Sequence, residues 1–133
     1  MKYLFLYIWQ LPQHLIALLI WGFLFLFGRV VSFQKTNPTV IRIKTPGFGL
    51  SLGQYIFLGV LHRQKSLNHE KGHSIQSLYL GPFYLLLVGI PSLIFCNLWD
   101  KLFHKKWQPE KRQKWYYSRF PENWADKLGG LHR

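Results

Sequence analysis

The chain has 133 residues, room for one domain, and sets 17 Lys and Arg against five Asp and Glu for a formal net charge of +12. Such an excess calls for an anionic neighbour, either phospholipid headgroups or nucleic acid. The single cysteine, Cys96, excludes an intrachain disulfide framework and a Cys-based zinc ribbon.

Residues 1–31 read as a membrane segment. The run LIALLIWGFLFLF at 15–27 carries no charge, and Tyr3, Phe5, Leu6, Ile8 and Trp9 extend the apolar character towards the N-terminus. A span requires about 20 mostly apolar residues, which the stretch supplies. Gln10, Pro12, Gln13 and His14 interrupt it and predict a kink or an interfacial first part. No small-x-small cleavage site follows, so an uncleaved anchor is expected rather than a signal peptide.

Residues 39–58 change character. TVIRIKT alternates apolar and polar residues, PGFG is turn chemistry, and GLSLGQYIFL can return as a second strand. Together they predict a β-hairpin. Gly47, Gly49 and Gly53 do not make G-x-G-x-x-G, because Leu52 stands where its third glycine would be, and no phosphate-cradling loop is expected.

Residues 66–79 suit a helix. The apolar run 80–99 is divided by Pro82, Gly89 and Pro91, so GIPS at 89–92 is expected to reverse the chain in a helical hairpin or re-entrant segment. Residues 100–119 are basic, with Trp107, Trp115, Tyr116 and Tyr117 interleaved. Following an apolar run, this mixture fits the interface of a bilayer with anionic headgroups better than nucleic acid, and no nucleic-acid partner is expected. PENWADKLGG reads as a short helix over 121–128, with proline in its first turn and Gly129-Gly130 as its stop. The expected fold class is α+β, mostly α, in one membrane-associated domain.

Two short motifs carry chemistry. His69-Glu70-Lys71-Gly72-His73 is H-E-x-x-H. Residues four apart share a helical face, so both imidazoles can reach one metal ion. Glu70, beside the first histidine, is placed to deprotonate an attacking water. The competing reading is a surface helix whose histidines merely fill polar positions. The extended metzincin pattern fails, since Gln76 and Tyr79 stand where it needs glycine and a third histidine. Downstream, Glu122-Asn123-Trp124-Ala125-Asp126 is E-x-x-A-D. Glu122 could complete the ligand set while Asp126 accepts from the far nitrogen of a ligating histidine. Tyr116, Tyr117 and His104 are candidates by type for stabilising an oxyanion.

H-E-x-G-H followed some fifty residues later by E-x-x-A-D resembles the gluzincin zinc metallopeptidases, above all the membrane-bound heat-shock and prenyl-protein type. HEKGHSIQSLYLGPFYLLLVGIPS with ENWADKLGG is also similar to a group of small bacterial membrane proteins; the resemblance covers roughly residues 49–130. Lys71 departs from that group, which often carries an aromatic residue there. The resemblance implies a Zn2+ ion held by His69, His73 and Glu122, Glu70 as general base and Asp126 as the partner of a ligand. It further implies a peptide or protein substrate, a bacterial inner-membrane location, and substrate held along an exposed strand edge within 39–58. The alternative is a non-enzymatic small membrane protein that binds anionic lipid or a protein partner.

A metal site restricts the topology. His73 precedes the apolar run and Glu122 follows it, and a straight crossing would separate them by about 30 Å of hydrocarbon. The run must therefore return to its own side. Arg42, Lys44, Arg63 and Lys65 before it, and Lys101 to Arg119 after it, place that side and the active site at the cytoplasmic face.

Overall fold

The computed structural model describes residues 1–61 and 63–133. Among them the chain is α+β: two N-terminal helices, a four-stranded sheet, and a helical C-terminal half.

Helix α1 (Lys2–Trp9) and helix α2 (Leu11–Leu26) meet at Gln10 with a bend of 83°. Pro12 lies in the first turn of α2, where its missing N–H costs nothing. The polar residues that interrupt the apolar sequence are the reason for the bend. Gln10, Gln13 and His14 are buried, Gln13 Nε2 donates to Gly81 O (2.6 Å), and His14 Nε2 accepts from Gln54 N (3.1 Å). The expected kink is therefore a right-angled corner anchored in the domain.

The sheet contains β1 (Val30–Gln34), β2 (Thr39–Ile43), β3 (Gly49–Leu52) and β4 (Tyr55–Gly59) in the order β1-β2-β4-β3. This corrects the expected hairpin over 39–58. β2 runs parallel to β4 and forms a hairpin with the preceding β1, and within 39–58 the hairpin is β3 with β4. GLSLGQYIFL is two strands, split by a turn at Gly53, whose φ of +62° a side chain would strain. The signal for a parallel pairing was the unalternating run YIFLG: β4 is buried along its whole length, as strands covered on both faces are. β1 begins at Val30, within the stretch read as membrane anchor.

One sheet face packs Ile41, Ile43, Leu52, Tyr55 and Phe57 against Ala17 of α2, with Ile20, Trp21 and Leu24 beside it. The other packs Val40, Ile56 and Leu58 against Leu67 of helix α3 (Gln64–Leu80). The sheet is thus the middle layer between α2 and the motif helix.

After a 3-10 turn at Gly81–Phe83, the apolar run becomes one helix, α4 (Leu85–Phe103), long and apolar enough to cross a membrane. The expected reversal at GIPS is absent. Pro91 lacks an N–H, and π-helical turns over Leu85–Gly89 and Ser92–Leu98 carry the helix past it. The wider turns also align a stripe. Tyr84, Val88, Ser92, Cys96 and Asp100, four residues apart, all face the domain, whereas an α-helix would drift by about 40° at each step. Helix α5 (Pro109–Tyr117) and helix α6 (Glu122–Leu128) then return along α4. Cys96 Sγ donates to Phe120 O (3.7 Å), and Ser92 Oγ donates to Glu122 Oε1.

Candidate metal centre

The site forms where α3 crosses α6 at close range. A Cβ added to Gly72 would lie 1.8 Å from Ala125 O, and one added to Gly129 would lie 2.1 Å from Asn68 O. The glycine of H-E-x-G-H and the first glycine of the GG stop therefore permit the backbone contact that lays α6 over the histidines. Without that approach, Glu122 could not reach them.

The structure brings His69, His73 and Glu122 together, all buried, with one ligand atom from each lying within 4.8 Å of the others. Glu122 Oε2 is 2.9 Å from His69 Nε2 and 3.1 Å from His73 Nε2. The far side of each ring is pinned. His69 Nδ1 lies 2.7 Å from Asp126 Oδ1, and His73 Nδ1 lies 2.7 Å from Gln76 Oε1. Asp126 also accepts from Arg133 Nε (2.5 Å) and Nη2 (3.2 Å). Burial alone would raise its pKa, but the bonds from His69 and Arg133 bring it below the usual carboxylate value, so it is an acceptor and His69 Nδ1 is the donor.

The same deduction holds for His73. Gln76 Nε2 donates to Pro121 O (3.0 Å), which fixes the amide with its oxygen towards the imidazole. With both Nδ1 atoms protonated, two Nε2 atoms and a carboxylate oxygen converge on one point. At such range they stay together only with positive charge among them, either protons on Nε2 or a cation in their place.

The titration behaviour of the cluster points the same way. Burial opposes charging His69, yet Asp126 and Glu122 overcome it and lift its pKa to about 9. His73 is raised against the same opposition, chiefly through Glu122. Glu122 resists protonation despite its burial, because both histidines and Ser92 bond to it. Two imidazoles and a carboxylate, each oriented by a hydrogen-bonded neighbour, are a donor set that could hold a metal ion. The chain matches no family model, no curated protein and no solved structure.

Glu70 stands apart from the ligand atoms. A Cβ on Gly49 of β3 would come 2.5 Å from its Oε1, so the edge strand presses directly on this carboxylate. Burial raises its pKa, offset in part by the neighbouring histidines. Glu70, His69 and Tyr116 lie where two limbs of a cleft meet. One limb, of about 340 Å3, reaches Asn97, Asp100, Arg112 and Gln113; the other, of about 330 Å3, passes Phe48, Leu50, Gly89 and Leu93. β2 is paired on both sides, so β3 supplies the open edge from the 39–58 stretch, and its residues line the second limb.

The three oxyanion candidates separate. Tyr116 lines both limbs, and burial above all holds its hydroxyl protonated as a donor. Tyr117 sits edge-on to His69 (5.1 Å between centroids) beneath the Arg133 guanidinium (3.4 Å). His104 is stacked on Trp107 (3.7 Å), meets Trp115 edge-on, bonds Asp100 and lines neither limb.

Sequence reasoning missed Gln76 and Ser92. Gln76 is three residues beyond His73 on the same helix face, a spacing that could have singled it out. Ser92 gave no comparable signal, since its role depends on α4 passing behind Glu122.

Proposed function

We propose that the chain is a membrane-associated zinc peptidase that works at the cytoplasmic surface of the bilayer. The observation that carries the reading is the pinning of both Nδ1 atoms, which turns two Nε2 atoms towards Glu122 beside a buried Glu70 that lines the cleft. A zinc ion held by His69, His73 and Glu122 would supply Lewis acidity towards a substrate carbonyl.

The remaining work falls to the chain. A peptide extended along β3 would bond its backbone to the open edge, with its scissile carbonyl near Glu70. Glu70 would take a proton as the water oxygen bonds to the carbonyl carbon. It would return that proton to the amine nitrogen as the C–N bond breaks. The Tyr116 hydroxyl, kept protonated by burial, is positioned to donate to the developing oxyanion. Asp126 and Gln76 would hold the two rings throughout.

The test pairs metal analysis with Glu70→Gln. Wild type should purify with about one zinc per chain and cleave peptides, and Glu70→Gln should keep the metal while losing at least 100-fold in kcat. A protein that takes up no zinc refutes the reading. Full zinc without cleavage favours the non-enzymatic alternative.

A further inference from the structure

The position of the site along α4 has a consequence for how the protein meets a membrane. Glu122 bonds Ser92, seven residues or about 10 Å into a helix of about 28 Å. Phe120 lies at the level of Cys96, and Arg112 bonds Asp100 with Nη2 2.7 Å from Oδ2. The cationic return segment therefore packs along the same length of α4 that the hydrocarbon of a bilayer would cover. An upright α4 would draw the exposed Lys114 and Arg119 into about 30 Å of lipid chains along with the buried acidic site.

The two faces of α4 resolve the conflict. Its outward face is apolar from end to end, with Leu86, Ile90, Leu93, Ile94, Leu98 and Leu102 all exposed. Its inward face is the stripe from Tyr84 to Asp100 that packs on the domain. With the other face packed on the domain, only one apolar face is free for lipid, which suits a helix lying in the plane of the interface. We infer that α4 is not a transmembrane helix but lies along a single leaflet of anionic phospholipid, apolar face down.

Charge agrees with that occupant. Lys101, Lys105 and Lys106 are exposed at the C-terminal end of α4 and can reach headgroups from a helix at this depth. α6, with its ligands, sits one helix-packing distance above α4, about 8–10 Å, which places the cleft at headgroup level. Both ends of α4 thus share one side of the membrane without a reversal at GIPS. The inference rests on the membrane part of the proposed function and is independent of metal and of hydrolysis.

The experiment uses full-length protein carrying Cys96→Ala and a single new cysteine at Tyr79 or at Lys106, both exposed. A membrane-impermeant maleimide is applied to sealed right-side-out and inside-out vesicles. A helix in the plane gives labelling at the two sites within twofold in each vesicle type. Labelling that differs at least tenfold, with the preference exchanged between vesicle types, overturns the inference. Depth is read separately, from fluorophores at Leu86, Ile94 and Leu102 and lipid-borne quenchers in phosphatidylglycerol vesicles. Equal, shallow quenching at all three is expected. Ile94 deepest overturns the inference in favour of a span, and no quenching at any site overturns lipid contact altogether.

Discussion

Gln76 offers the sharpest test of the metal centre, because nothing in a two-motif description of the site requires it. Gln76→Met keeps the volume of the side chain roughly constant but removes two bonds of a fully buried amide, from His73 Nδ1 at 2.7 Å and to Pro121 O at 3.0 Å. Each polar group left buried without a partner costs about 1–3 kcal/mol, so the protein should lose roughly 2–6 kcal/mol of stability. Stability alone would not distinguish a structural role from an orienting one. The distinguishing quantity is zinc affinity at a temperature where the variant stays folded. His73, no longer held in the tautomer that aims Nε2 at Glu122, should bind about 10–100-fold more weakly, as loss of a ligand's hydrogen-bond partner usually does. Gln76→Glu separates the two bonds: it retains an acceptor for Nδ1 and loses the donor to Pro121 O. Its zinc Kd should stay within a few-fold of wild type although its Tm falls. Competition against a chromophoric chelator, with Tm recorded alongside, measures both. Wild-type affinity in Gln76→Met, or equal weakening in the two variants, would refute the orienting role.

Acidity should govern metal uptake. In the metal-free protein a proton on His69, with its pKa near 9, must leave before Nε2 can accept zinc, and His73 is raised as well. Affinity measured by titration at fixed ionic strength should therefore rise by at least about tenfold per pH unit from pH 7 and level off above about 9; a flat profile would contradict the assigned hydrogen bonds. For stability the sign is opposite. The raised pKa of His69 stabilises the metal-free fold fully below 6.5, and that contribution disappears as pH rises through about 9. Glu122, lowered, contributes above 4.5 and loses that contribution as acid protonates it. Denaturant midpoints of the metal-free protein should thus be highest between about pH 4.5 and 6.5 on account of these groups. The glycines give a paired comparison. Gly72→Ala forces a carbon to 1.8 Å from Ala125 O and should cost about 1–3 kcal/mol together with the convergence of His69, His73 and Glu122. Gly89→Ala, whose nearest neighbour would be Leu85 Cδ2 at 3.5 Å, should stabilise by about 0.5–1 kcal/mol.

Local spacing and local character were legible from the residues alone. H-E-x-x-H declared a helix with two imidazoles on one face, E-x-x-A-D declared a carboxylate pair, and proline and glycine marked the start and stop of α6. These follow from the 3.6-residue period and from capping chemistry, which act within a turn or two of chain. What failed needed information from elsewhere in the molecule. TVIRIKT is half of a hairpin, but with the preceding β1 and not the following strand, because alternation reveals a strand but not its partner. Pro91 looked like a turning point because proline breaks an isolated α-helix, whereas here π-turns absorb it and keep the stripe from Tyr84 to Asp100 against the domain.

The candidate triad divides between the two sources. The chain by itself determined that His69 and His73 share a face and that Glu122 and Asp126 lie a turn apart, since backbone geometry fixes neighbours of that spacing. Only the tertiary structure decided that the pairs meet, because this depends on Gly72 and Gly129 letting two backbones touch and on α4 carrying Ser92 behind Glu122. The tautomers belong to the tertiary structure too. A histidine's two nitrogens are equivalent in a sequence and become distinct only when Asp126 and Gln76 each take a proton-bearing side.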